Sequence, residues 1–317
     1  MAEQGLAMRA LGYLLMTLTA LLLAPAASAQ MPGGLGATHH LTIALVAETG
    51  QPAAGGTVTL ALDTRPEPGW HGYWQNPGDA GFPAKLDWTL PKGVTASAPA
   101  YPMPGTLLVA GLMNYVYEAP YAPLVTVTLP AGLAPGTALP IRLKASYLVC
   151  SASVCVPESA DLAADLVVGN GAIDPAMRAR FDAWRRAIPR LIGSPATYQR
   201  AGGTLRIGVA YPATAPLADG YFFASTGGII DYAAPQSVVR DGDRVVIETK
   251  VSSASGGSAG GVTGPIAGIL RVGPGQGLAV TATPGIVAPA QGSTSGESGV
   301  ALAALIAFGG ALLGGLM

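Results

Sequence analysis

The chain has 317 residues, 17 Lys and Arg against 18 Asp and Glu, a formal net charge of −1 and only 11% charged residues. Charge this sparse and balanced excludes a nucleic-acid binder, which needs a basic face. Gly (44) and Pro (27) are abundant, which favours short strands and turns over a helical bundle, in a chain with room for two domains.

Arg9, an uncharged Leu-rich run from Ala10 to Leu23, Pro25 and Ala27-Ser28-Ala29 before Gln30 predict a secretory signal peptide over residues 1–29. Met8 is an alternative start, since Glu3 weakens the basic region. The mature chain then works outside the cytoplasm, where disulfides form. Residues 30–170 read as one β-sandwich. Leu41–Val46, Gly56–Leu62, Leu124–Leu129, Ile141–Tyr147 and Leu162–Val168 are its strands, with Val58, Leu60 and Leu62 on one face at period two. Between them lies an aromatic segment, Trp70 to Pro83, whose Asn, Pro, Gly and Asp predict a turn at its end. Met113 to Glu118 is a second aromatic and polar stretch before a strand.

One helix follows, read as a connector over residues 171–192. Asp174 suits the N-cap and Pro175 the first helical position. Met177, Phe181, Trp184 and Ile188 form one apolar stripe. Arg178, Arg180, Arg185, Arg186 and Arg190 read as a solvated face, and Pro189 ends the helix. Residues 200–289 predict a second β domain, with strands at Leu205–Val209, Tyr221–Phe223, Arg244–Glu248, Ile266–Val272 and Leu278–Thr281. Asp241-Gly242 signals a hairpin turn, and Ser252–Gly261 a Gly/Ser-rich loop. Residues 290–298 read as a linker into the uncharged run 299–317, the start of a transmembrane helix. Nineteen residues at ~1.5 Å each reach ~28 Å, close to a bilayer core. Gly310 and Gly314 suit close packing in lipid, and no basic residue follows. A fragment of a longer membrane protein is expected over a finished tail anchor.

The chemistry rests on the cysteines, Cys150 and Cys155, the only two in the sequence. They are a structural staple or a working dithiol, and both readings stay open on spacing. A loop of ~6 residues contributes only ~2 kcal/mol of stability, against ~4.7 for ~100 residues, which tilts the reading toward redox work. A short loop also lets the second thiol reach a mixed disulfide quickly. A zinc site needs further ligands, and His39, His40 and His71 lack metal-ligand spacing to the pair. No nucleophile triad, phosphate loop or paired-carboxylate site stands out, and no cofactor is expected.

Four motifs in order carry a resemblance: Trp70–Gly81, Asp87–Pro91, Asn114–Glu118, and Tyr147–Cys150 with Val154–Glu158. Together they resemble the periplasmic N-terminal region of the DsbD/ScsB thiol:disulfide interchange proteins, closer to the ScsB branch. The resemblance covers about Gln30 to Val168 and extends more loosely to the apolar run. It implies an immunoglobulin-like domain with a redox-active cysteine pair, part of a protein-disulfide reductase anchored in the bacterial inner membrane. A membrane electron-transfer domain would reduce the pair. The pair would in turn reduce periplasmic partners, thioredoxin-fold or other disulfide-containing proteins. The family's membrane-embedded Pro-Cys motif and its C-terminal thioredoxin-like domain are not in this sequence.

By the same resemblance Cys155 attacks partners and Cys150 resolves. Trp70, Tyr73, Trp74, Met113, Asn114 and Tyr115 are expected in an active-site cap or partner surface, with Tyr117, Pro157 and Glu158. Asn114 stands where the DsbD branch carries a shielding aromatic, which leaves Met113 or Tyr115 to shield. Glu158 would oppose thiolate formation if close. Two other readings compete. One is a membrane-tethered exported β-sandwich binding module with a purely structural disulfide. The other is a copper-handling module, against which the lack of Met/His clusters argues.

Overall fold

The computed structural model describes residues 39–193, 195–252 and 263–290. The predicted signal peptide, the transmembrane start and nearly all of the loop and linker lie outside them. No helix among the described residues is long and apolar enough to cross a membrane. The described residues are mainly β, with one short helix.

Two sheets share the first core. One orders β1 (Leu41–Ala47), β2 (Thr57–Pro66), β8 (Leu124–Thr128) and β5 (Thr95–Ala96). The other orders β10 (Cys155–Val167), β9 (Ala138–Cys150) and β4 (Lys85–Thr89). Val58, Leu60, Leu62, Val125 and Val127 of the first sheet meet Leu139, Ile141 and Leu143 of the second. The period-two pattern produces this directly, since alternate side chains share a face. Each such side chain contributes about 1.5–3 kcal/mol by leaving water.

A third sheet orders β3 (Gly72–Gly78), β7 (Leu112–Tyr117) and β6 (Gly105–Val109). The expected turn at the end of the aromatic segment falls at Asp79-Ala80, directly after β3. Asn76-Pro77-Gly78 stays in the strand, and the register with β7 shifts between Tyr73 and Gly78. Gly78 makes this possible: it has φ +89, and a Cβ there would lie 2.3 Å from the Met113 carbonyl oxygen.

The helix α1 (Pro175–Ala187) is capped by Asp174, whose side chain accepts from the Ala176 and Met177 amides. Phe181 is fully buried against Ala61, Ala122 and Leu124, with Met177, Trp184 and Ile188 beside it. The arginine face is not wholly solvated. Arg180 bonds Asp63 at 2.7 Å and Arg185 bonds Glu48, two carboxylates that are themselves buried. Unpaired, those carboxylates would be costly in the sheet, so the arginines fix the helix on it.

The last sheet has eight strands, ordered β14 (Tyr221–Ala224), β17 (Ile266–Gly273), β18 (Gln276–Pro284), β12 (Ala196–Ala201), β13 (Thr204–Ala210), β16 (Arg244–Lys250) and β15 (Ser237–Asp241), with β11 (Arg190–Leu191) also on β18. β15 and β16 form the hairpin that Asp241-Gly242 predicts, with Gly242 at φ +60. Its core includes Phe222, Phe223, Leu205, Ile207 and Ile247.

Candidate functional site

Cys150 ends β9 and Cys155 begins β10, two strands of 13 residues paired in one unbroken antiparallel register. The cysteines are the last opposed pair of that ladder, and a disulfide joins them with Cα atoms 4.0 Å apart. The loop beyond is closed on itself. The Ser151 amide donates to the Val154 carbonyl at 2.8 Å, and Ser151 Oγ accepts from the Ser153 and Val154 amides. Cys150 turns its backbone the other way. Its carbonyl accepts from the His71 amide at 2.8 Å, and its amide donates to the His71 carbonyl at 3.1 Å. The cysteines are therefore a non-hydrogen-bonded cross-strand pair, the kind whose side chains approach most closely.

Strand alternation sets the surroundings. Leu139, Ile141, Leu143, Ala145, Tyr147 and Val149 face inward along β9. Cys150 and Leu148 fall on the opposite face, whose earlier members Lys144 and Arg142 are exposed. At Cys150 that outer face is covered by the third sheet. Tyr73, Val116 and Cys150 form one buried cluster, with Leu107 and Leu148 packed on it. The Tyr73 hydroxyl donates to Cys150 Sγ at 3.1 Å. Gly81 makes room for the Tyr73 ring: a Cβ there would lie 2.3 Å from it, at φ +92.

The two sulfur-bearing residues differ sharply in access. Cys150 is 1% exposed, whereas Cys155 is exposed at the strand end. Val154 beside it is 50% exposed, and Leu108 and Leu112, near the tip of the β6–β7 hairpin, are 60% and 47% exposed. A thiol arriving from solvent meets Cys155 first.

Of the residues expected around the pair, Tyr73 touches it. Trp74, Tyr115 and Tyr117 point away, into the core of the last sheet. Trp74 and Tyr115 stack edge-on against Phe223, and Tyr115 also against Tyr221 and Tyr232. Met113 packs on the same cluster. Shielding by Met113 or Tyr115 is thus corrected to shielding by Val116 and Leu107, because β7 alternates and its even positions face the cysteines. Asn114 is buried on that side, its amide donating to the Leu112 and Leu107 carbonyls at 3.1 and 3.3 Å. Trp70 stacks on His40 with ring centroids 3.5 Å apart. Pro157 is exposed opposite Leu148. Glu158 lies on the face of β10 opposite Cys155, its Oε1 accepting from the His40 amide at 2.9 Å. It is therefore not directed at the thiol.

Sequence reasoning missed His71, Val116, Leu107 and Gly81. The alternation of Asn114 and Val116 against Tyr115 and Tyr117 was the available signal. Burial lowers the His71 pKa, partly opposed by the Glu118 charge, so the ring is neutral near pH 7. Burial raises the Tyr73 hydroxyl above its ordinary value, which keeps it a donor. Among the described residues no group of three or more His, Cys, Asp or Glu is placed to hold a metal. A cleft of about 790 Å³, lined by Trp74, Tyr101, Arg185 and Ile269 among others, includes neither cysteine.

Residues 44–166 match the family model described as "Thiol:disulfide interchange protein DsbD, N-terminal". Among solved structures, the N-terminal periplasmic domain of ScsB from Proteus mirabilis is similar at TM-score 0.58 and 17% identity, over 78% of this chain and 94% of that one. That likeness speaks to fold. The Escherichia coli adhesin FdeC aligns at TM-score 0.21 and 10% identity over 78% of this chain and 65% of that one, too weak to carry an argument. No curated protein matches the sequence.

Proposed function

We propose, from the premise that residues 44–166 are a DsbD N-terminal domain, that Cys150 and Cys155 are a working dithiol which reduces disulfides in partner proteins. The observation that carries this reading is the asymmetry of the pair: one cysteine exposed, the other covered, on adjacent strand ends. The Cys155 thiolate attacks a partner disulfide. A bond forms between Cys155 Sγ and one partner sulfur, and the other partner sulfur leaves as a thiolate. Cys150 then attacks Cys155 Sγ, the internal disulfide re-forms, and the partner leaves with two electrons gained.

The domain is read as immunoglobulin-like, on the two facing sheets and their shared core. It is read as periplasmic and anchored in the bacterial inner membrane, where a membrane electron-transfer domain reloads the pair. Partners are thioredoxin-fold or other disulfide-containing proteins. Residues 30–170 and 200–289 are taken as two β domains joined by the helix.

The competing reading is a binding module with a structural bridge. The ladder argues against it. Twelve residue pairs besides the cysteines hold β9 to β10 in the folded protein, and in the unfolded chain the bridge restrains only a loop of ~6 residues. Equilibration of the protein in glutathione buffers, followed by thiol alkylation, separates the two. A two-electron transition within the range of cellular thiol pools supports exchange. A midpoint below about −300 mV supports a structural bridge.

A further inference from the structure

We propose that Tyr73 is a catalytic residue of the exchange, its hydroxyl being the hydrogen-bond donor to Cys150 Sγ whenever that sulfur carries the thiolate charge. The proposal rests on the exchange reading above.

The contact is built, not incidental. Tyr73 is 7% exposed, Cys150 is 1% exposed, and the O–H donates to Sγ at 3.1 Å. The ring is held on one side by the bare Cα of Gly81 and stands edge-on to His71 at 5.4 Å. His71 in turn fixes β3 to Cys150 through both main-chain hydrogen bonds. Hydroxyl and sulfur therefore sit in one frame with few free torsions.

A neutral disulfide sulfur is a weak acceptor, so this hydrogen bond does little in the oxidised protein. A thiolate is a strong one, and charge-assisted bonds are about twice as strong as neutral ones. Burial alone would disfavour the Cys150 thiolate. A buried hydroxyl that keeps its proton offsets that cost at the one sulfur solvent does not reach.

Reduction by a small dithiol shows where the hydroxyl acts. A reductant thiolate bonds to Cys155 Sγ, the exposed sulfur. The Cys150–Cys155 bond breaks, and its electron pair stays on Cys150 Sγ, facing the Tyr73 hydroxyl. The reductant's second thiolate then attacks its own sulfur in the mixed disulfide and releases the Cys155 thiolate. The reductant becomes a cyclic disulfide, having lost two electrons and two protons, and the cysteines take up two electrons and, from water, two protons. Resolution of a partner's mixed disulfide uses the same Cys150 thiolate as nucleophile, so Tyr73 acts in both directions.

The test compares Tyr73→Phe with Tyr115→Phe in the full chain. The second variant removes a buried hydroxyl from the other face of the same sheet, where it contacts the Tyr221 hydroxyl at 3.4 Å. Stopped-flow opening of the disulfide by dithiothreitol is expected to slow about tenfold in Tyr73→Phe and to hold its rate in Tyr115→Phe. Closing of the reduced pair by oxidised glutathione is expected to slow alongside it. Urea midpoints of the oxidised proteins check that both variants fold. Wild-type rates in Tyr73→Phe, or equal slowing in both variants, overturn the proposal. A wild-type disulfide that does not open at all in the folded protein overturns the exchange reading, and Tyr73 with it. A wild type that opens while Tyr73→Phe is unaffected removes Tyr73 alone.

Discussion

His71 and Cys150 exchange two main-chain hydrogen bonds, at 2.8 and 3.1 Å, so Cys150 is backbone-bonded to the residue that leads into β3 and only sulfur-bonded to Cys155. Breaking the disulfide thus costs no ladder hydrogen bond. We expect the reduced protein to stay folded and to lose only about 2 kcal/mol, the loop-entropy value for ~6 residues. Urea unfolding of oxidised and reduced protein measures the difference. Collapse of the fold on reduction would instead mark the bridge as a structural staple.

Gly81 stands against the Tyr73 ring at φ +92. Gly81→Ala combines a left-handed backbone with an overpacked contact, and should cost about 1–3 kcal/mol. The displaced ring should uncover Cys150, which then alkylates faster in reduced protein. Unchanged stability together with unchanged alkylation would show that the ring does not depend on this glycine.

Asn76 links the third sheet to the last one. Its amide donates to the Ala224 carbonyl at 2.6 Å and to the Tyr232 hydroxyl at 3.0 Å, all within a buried setting. Asn76→Ala removes the donor to the buried Ala224 carbonyl, while the Tyr232 hydroxyl still accepts from the Gly228 amide at 2.9 Å, and should cost about 1–3 kcal/mol. Tyr232→Phe, which leaves the Ala224 bond intact, should cost less. Chemical unfolding of both variants gives the comparison, and equal or negligible losses would contradict it.

The strands of the first core were legible because period two is enforced by their two-faced environment: Val58, Leu60 and Leu62 fall where the alternation puts them. The helix start was legible because Asp174 and Pro175 act locally. The cysteines were legible by type and spacing. Their cover was not. Met113 and Tyr115 flank Asn114 in the motif and so read as shields, with Tyr117 in the cap or partner surface. Which face of β7 meets Cys150 is set by a tertiary partner, the last sheet, that takes Trp74, Tyr115 and Tyr117 into its own core. Two of the arginines were read as a solvated face because the carboxylates that bind them, Glu48 and Asp63, lie more than a hundred residues away in sequence.

His71 is 5% exposed, and its folded pKa lies below the ordinary 6.5 through burial, against the raising effect of Glu118. The unfolded state then binds the proton more readily than the folded one. The sign follows: stability is full above about pH 6.5 and falls as pH drops below it, by at most about 1.4 kcal/mol per pH unit, until the folded pKa is reached. Urea midpoints between pH 5 and 8 should show this slope in wild type and a flatter one in His71→Gln. Parallel curves would assign the acid sensitivity elsewhere.

The most direct measurement is trapping with single-cysteine variants. Each variant is incubated with a disulfide-bonded thioredoxin-fold protein, quenched with acid and alkylated, and resolved on non-reducing gels. Cys150→Ala, which keeps the exposed attacker and lacks the resolving thiol, should accumulate a mixed disulfide through Cys155. Cys155→Ala should trap almost none, because Cys150 is covered by Tyr73, Val116 and Leu107. Trapping by Cys155→Ala in preference to Cys150→Ala, or by neither variant, would contradict the account.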